Sequence, residues 1–250
     1  MKYLFLTLCL LLISVAAFEQ NKAPRLEAYG GTGLFFEQLN NDTLVPEKRR
    51  NTSRLGDVSS YGLQVTMQAG KSRWLIKGGL GYSERHYSMN KYTLGDFFTD
   101  LFLFDSPPPH DTSSISYVRL TNQYLQVPVT IAYSIIRRKR GIGGAFTAGL
   151  NMRSDILLNS SAQVEFDATY IQPTAATVNQ FKKLYTQNAT AYVLTIEPYL
   201  EGSFFVYKGI GMYIQVRPFS FYSSPFDKRF TSGTFELVGS SFGLMYDFNR

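Results

Sequence analysis

Between residues 124 and 152 the chain reads YLQVPVTIAYSIIRRKRGIGGAFTAGLNM. Leu125, Val127, Val129, Ile131, Tyr133 and Ile135 alternate with Gln126, Pro128, Thr130, Ala132 and Ser134. The pattern stops at Arg137, Arg138, Lys139 and Arg140, then resumes as Ile142, Phe146, Ala148, Leu150 and Met152 against Gly143, Thr147, Gly149, Asn151 and Arg153. Side chains of a strand point to opposite faces at successive positions, so each set shares one face. Two antiparallel strands joined by the basic turn keep the apolar face continuous and leave the four charges in water.

The same period of two recurs in eight segments, approximately residues 26–37, 58–70, 73–89, 115–136, 141–157, 190–207, 209–221 and 233–248. They exceed the five or six residues common in globular strands and are long enough for the roughly 9–11 needed to cross a bilayer. The intervening stretches alternate between long (38–57, 90–114, 158–189, 222–232) and tight (Gly70-Lys71-Ser72, Arg137 to Arg140, and Lys208 with its neighbours). This predicts an all-β, closed antiparallel up-and-down transmembrane β-barrel, with long extracellular loops at one end and short periplasmic turns at the other. Eight strands are expected, with an interior just filled by side chains. Ten remain open, because 90–114 and 158–189 are long enough for a further hairpin or a short helix.

The second face decides what surrounds the barrel. A soluble, lipocalin-like ligand-binding barrel would carry dense Lys and Glu on its water-facing side. Here that side is mostly Gly, Ser, Thr, Ala and Gln with isolated charges. Glu27, Asp155, Glu197, Glu201 and Asp247 stand against Lys77, Arg85, Arg153 and Arg217, so the charges nearly balance and predict a lumenal ion-pair network. Trp74, Tyr82, Tyr133, Tyr192, Tyr246 and Phe248, near the segment ends, suit interfacial aromatic girdles.

Composition narrows the picture. The chain holds 17 Tyr, 20 Phe and 20 Gly and is only 18% charged. Lys2 followed by the apolar run from Tyr3 to Ala17 reads as a signal peptide over 1–17, with the barrel domain over 18–250. Cys9, the only cysteine, falls inside that run, so no disulfide or thiol chemistry is expected of the exported chain. The formal net charge is +6, but an exported chain has little occasion to meet nucleic acid, and none is expected as a partner.

Sites of chemistry are sparse. His86 has Ser83 and Ser88 near it in sequence, and His110 has Asp111 and Ser113 beside it. A lipid-modifying hydrolase or acyltransferase would need such a base and nucleophile, but nothing in the spacing fixes their geometry. No metal-ligand spacing and no cofactor motif is present. Gly78-Gly79-Leu80-Gly81 and Gly141-Ile142-Gly143-Gly144 lie within strand patterns and read as sites of close packing. Lys48, Arg49, Arg50 and Arg54 form an external basic loop suited to lipopolysaccharide phosphates. Arg137 to Arg140 suit an acidic partner or inner-leaflet headgroups. The aromatic stretch Phe97 to Leu103, cut off by Pro107 to Pro109, is expected to pack on the barrel rim.

YLQVPVTIAYS, with its Pro three residues after Leu125, together with the signal peptide, the eight-strand pattern and the closing SSFGLMYDFNR, resembles the outer-membrane β-barrel domain common in Bacteroidota that includes PorT-like proteins. The resemblance implies a cell outer-membrane location and a part in secretion or gliding machinery. It also implies a terminal aromatic residue read by the barrel-assembly machinery, here Phe248, although Asn249 and Arg250 follow it. The expectation is an integral outer-membrane barrel with a filled lumen, acting as a non-catalytic structural, binding or secretion-accessory protein. Its partners would be the lipid bilayer, lipopolysaccharide, the assembly machinery and a protein at the extracellular loops or periplasmic turns.

Overall fold

The computed structural model describes residues 24–39, 52–69, 72–90, 115–136, 143–166, 174–187, 189, 191–207, 209–223 and 234–248. Nine strands are present: β1 Arg25–Leu39, β2 Thr52–Gln68, β3 Trp74–Asn90, β4 Ile115–Ile136, β5 Gly143–Phe166, β6 Tyr192–Tyr207, β7 Ile210–Arg217, β8 Ser220–Ser223 and β9 Thr234–Asp247. Each strand is antiparallel to its neighbour, and β1 also pairs β9, so the sheet closes. β7 and β8 both lie between β6 and β9, interrupted at Pro218 and Phe219. They are two pieces of one stave, and the barrel has eight. The proline has no N–H to give to a ladder, and the break sits where it must. Glu197, Pro198 and Tyr199 of β6 have no partner in β7 or β8 at the same level.

Following paired residues once round the barrel from Leu26 returns to β1 at Phe36, a stagger of ten residues. That stagger over eight strands tilts them by about 40° and leaves an interior just wide enough for side chains. The tight connections at 69–73, 137–142 and 208–209 fall at one end, called the lower end below. Gly209 there has φ of 87°, a conformation that a residue with a Cβ rarely adopts. The connections 40–51, 91–114, 167–191 and 224–233 join strands at the upper end.

The apolar set faces outward. Leu80 is 61% exposed and Leu244 57%, whereas Lys77 of the opposite parity is 1% exposed. Two aromatic levels bound this belt. Below, Trp74 and Tyr133 meet edge to face at 5.3 Å, and Tyr246 and Phe248 do so at 4.9 Å. Above, the Tyr61 and Tyr82 rings lie 5.3 Å apart. From Trp74 to Tyr82 a tilted strand rises about 20 Å, close to the height of a bilayer-facing apolar band. An apolar exterior round a closed ladder with charges inside is the arrangement of a barrel that crosses a bilayer.

Strand ends differ from those expected. β2 begins at Thr52, which puts Arg54 opposite Glu37 in a strand and not in the external loop. β5 runs on to Phe166, and Ala175–Gln187 forms a helix, α1, that packs against β5. The long stretch 158–189 thus holds strand and helix, and no added hairpin widens the barrel among the described residues. The reason is common to these ends. Above Tyr82 no hydrocarbon requires apolar side chains, and the outward face becomes Glu84, His86, Thr121, Gln123 and Asn159. A register slip at Leu158 also reverses the parity, so period-two alternation fades while the backbone ladder continues. The segment 1–17, residues 91–114 of the stretch expected as a loop over 90–114, and the basic turn Arg137 to Arg140 lie outside the described residues, whereas Asn90 is the last residue of β3.

The belt defines a depth-dependent test. Met152, 45% exposed and level with Gly78 midway between the girdles, replaced by Arg should destabilise the folded barrel by about 2–4 kcal/mol. Asn159→Arg, above the upper girdle, should cost about 0–1 kcal/mol. Urea unfolding in liposomes, followed by the fluorescence of the single tryptophan Trp74, measures both. Equal costs at the two positions would contradict the bilayer level assigned to the belt.

Candidate functional site

The inward positions bring together the charges that the sequence separates. β1 supplies Arg25 and Glu27, β3 Lys77 and Arg85, β5 Arg153 and Asp155, β6 Glu197 and Glu201, and β7 Arg217. Each pair lies on one face because its members are separated by an even number of residues. All except Arg25 are buried to 5% exposure or less. The Arg25 side chain is 15% exposed.

The lower cluster centres on Lys77. Its ammonium donates to Glu201 Oε2 at 2.5 Å and to Glu27 Oε2 at 3.2 Å. The same nitrogen lies 5.8 Å from the Tyr199 ring and 5.4 Å from that of Tyr213, a cation held over two aromatic faces. Glu27 is further satisfied by Arg25 Nε at 2.7 Å, Thr66 Oγ1 at 2.6 Å and Gln64 Nε2 at 2.6 Å. With its lone pairs so occupied, a carboxylate can be buried as an ion.

The upper cluster is arginine-rich. Asp155 pairs with Arg85 and with Arg153 Nε, the latter at 3.3 Å. Glu197 accepts from Arg153 Nη1 at 2.9 Å and Asn151 Nδ2 at 2.7 Å, with Arg217 Nη1 at 3.6 Å. Ser220 Oγ, just beyond the break in the seventh stave, donates to Glu197 Oε1 at 3.4 Å. The Arg85 guanidinium stacks over Tyr124, 5.0 Å from its centroid.

Tyrosines and glycines fill what the charges leave. A Cβ on Gly62 would lie 2.7 Å from the Tyr29 hydroxyl, and one on Gly149 would lie 2.7 Å from the Tyr199 ring. Tyr213 covers Gly243 in the same way. Gly79 admits no side chain because a Cβ would come within 2.7 Å of the Gln64 Cα, in keeping with close packing at that glycine-rich stretch. Phe205, Tyr213 and Met245 form an apolar plug at the lower end. A cavity of about 30 Å³ is left beside Tyr29, Gln126, Asn151, Arg153 and Arg217, room for a water or two and not for a solute path.

Of the network anticipated from the sequence, Glu27, Lys77, Arg153, Asp155, Glu197, Glu201 and Arg217 converge in the two clusters, while Asp247 is half-buried at the lower end of β9, opposite Arg25. Arg25 is the participant that the alternation missed. It shares the parity of Glu27 but precedes the first apolar residue of its strand, so the pattern began one position too late. With it, five lumenal cations stand against five carboxylates among the described residues. Phe248 is exposed against the Tyr246 ring, and its N–H donates to the Pro24 carbonyl at 3.4 Å. Lys48, Arg49 and Arg50 lie outside the described residues, as does His110.

His86 sits on the outer face of the upper extension. Its Nδ1 is 3.0 Å from Thr121 Oγ1 and its Nε2 is 3.6 Å from Glu84 Oε2. Tyr82 and Gln123 donate to Glu84 Oε1 at 2.6 Å and 3.0 Å. Ser83 is fully buried on the opposite, lumenal face, so it does not face the imidazole. Among the described residues no group of His, Cys, Asp and Glu is arranged to hold a metal ion.

No protein-family model and no curated protein matches the chain. Among solved structures it is similar to Neisserial surface protein A, at 8% identity and a TM-score of 0.37, covering 91% of this chain and 100% of that one. The outer membrane protein OprG from Pseudomonas aeruginosa is 9% identical with a TM-score of 0.45, covering 92% and 98%. Ail, the attachment invasion locus protein of Yersinia pestis, solved with the heparin analogue sucrose octasulfate, is 7% identical with a TM-score of 0.30, covering 91% and 99%. Likenesses this distant leave the functional reading to the chain's own geometry.

Removing Lys77 alone leaves Glu27 and Glu201 facing each other without their shared cation. Lys77→Met should destabilise the barrel by about 3–5 kcal/mol. The double variant Lys77→Met, Glu201→Gln should recover much of that loss, because Glu27 keeps Arg25 as its partner and no uncompensated charge remains. A double-mutant cycle of urea midpoints checks this, and a double variant no more stable than Lys77→Met alone would disprove the pairing.

Proposed function

We propose that this chain is an integral outer-membrane barrel that acts without catalysis, as an anchored structural or binding protein displaying the upper extension of β2 to β5 and its loops outside the cell. One observation carries the reading. The lumen is spent on packing, with paired charges and tyrosines filling it, so the surfaces free to act are the two ends. The polar outward face above Tyr82 is one of these described surfaces, continued over β5 by α1. The resemblance to PorT-like barrels of Bacteroidota supports a secretion-accessory role for that surface, with a protein partner at the loops or at the lower turns. The basic residues Lys48, Arg49 and Arg50 in the loop preceding β2 suit lipopolysaccharide phosphates, and Phe248 at the lower rim is the residue offered to the assembly machinery.

A lipid enzyme is the competing reading. It would rest on His86, whose hydroxyl neighbour is Thr121 at 3.0 Å. That hydroxyl lies on the rim above the upper girdle, and catalysis there would also need donors placed to stabilise an oxyanion.

Three measurements test the proposal together. The protein should stay in the membrane fraction through a carbonate wash and run as a heat-modifiable band in detergent. Reconstituted in planar bilayers it should give no stable porin-sized conductance. His86→Asn should leave lipid A and phospholipid profiles unchanged in cells, whereas a lipid species that depends on His86 would overturn the non-catalytic reading.

A further inference from the structure

We propose that the lumen holds a binding site for one small monatomic anion of halide size, in the cavity between the lower and upper ion-pair clusters. The site is independent of the display role above and would exist whatever the loops bind.

The lining is the first argument. Arg153 and Arg217 border the cavity together with the amides of Gln64, Gln126, Asn151 and Gln215, and no Asp or Glu borders it. Gln126 is fully buried, and neither atom of its amide has a hydrogen-bond partner in the protein. Arg217 Nε is likewise unpartnered, its Nη1 lying 3.6 Å from Glu197 and its Nη2 3.4 Å from the Ser240 carbonyl. A buried donor left without an acceptor costs about 1–3 kcal/mol, and more when it is charged. Two such donors, Gln126 Nε2 and Arg217 Nε, beside one cavity mark a place where something else accepts.

Charge separates an anion from water as that acceptor. In the upper cluster Arg85, Arg153 and Arg217 face Asp155 and Glu197, and no third carboxylate is buried with them among the described residues. Asp247, which balances the count for the whole lumen, pairs in the ladder with Arg25 at the lower end. Arg153 and Arg217 border the cavity whereas Asp155 and Glu197 do not, so in surroundings of low dielectric the charge turned to the cavity is positive and suits one monovalent anion. Size sets the class. A single water needs about 10–15 Å³ of such space. The 30 Å³ present admits a chloride or bromide ion and is too small for sulfate or phosphate with its four oxygens.

The folded protein in detergent micelles provides the test. Thermal unfolding is followed at constant ionic strength in sodium chloride, bromide, sulfate and gluconate. The expected result is a Tm that rises saturably with chloride or bromide and not with gluconate or sulfate, since a ligand bound only to the native state stabilises it with concentration. Crystals grown in bromide should show an anomalous peak within hydrogen-bond reach of Arg217 and Gln126. Gln126→Glu, which sets a carboxylate into the cavity, should abolish both the halide-dependent shift and the peak while the band-shift of a folded barrel persists. Gln215→Glu, half-buried at the same cavity, serves in its place should the first variant not fold. Equal melting in chloride and gluconate, or cavity density without anomalous signal, would mean that water alone fills the space, and the proposal would fall.

Discussion

A backbone in hydrocarbon has no water to bond with, and every N–H and C=O must find its partner inside the chain. This barrel meets that requirement by closing β1 onto β9 and stepping ten residues round the circuit. The rest follows from closure. Ladder register sets the tilt, the tilt sets the bore, and a bore this narrow must be filled by whatever side chains face it. Gly62, Gly81, Gly149 and Gly243 are the concession, for each yields the space into which a tyrosine from another strand is laid.

Inside that bore the chain places ions where a soluble protein would place leucines. The reason lies in the inverted exterior. An apolar lumen would gain little over lipid, whereas charges that meet their partners only in one register give the strand order a distinct signature. Lys77 reaches Glu27 and Glu201 across the barrel, from β3 to β1 and β6, so three staves must be correctly in place before the lysine is neutralised. Breaking such a set is costly although forming it is close to neutral, and it acts as a check on assembly more than as a source of stability.

The seventh stave shows where the closure is least complete. Pro198 and Pro218 lie near one another in level, the ladder lapses between them, and Glu197, Arg217 and Ser220 converge behind the gap. Side chains there take over what the backbone cannot do. Above the upper girdle the demand for outward apolar residues ends and the outward face becomes polar, so strands that must be greasy within the membrane can become polar ridges beyond it.

Alternation along the sequence was enough to count the staves, to choose which face is apolar and to name most of the buried ions, because a strand has a period of two regardless of what lies next to it. It fell short wherever that period stopped carrying information. Residues 158–166 look like loop because the parity slips at Leu158 and the outward face turns polar at Asn159, Ser161, Gln163 and Glu165, and Arg54 looks like loop because it precedes the apolar alternation that starts at Val58. Arg25 was lost at a strand's first residue. Pairing was beyond the sequence altogether: that Lys77 sits between Glu27 and Glu201, that Ser83 turns away from His86, or that Gln126 ends beside a small cationic cavity depends on the stagger of a closed sheet. Stagger is a property of eight strands together, and no single strand contains it.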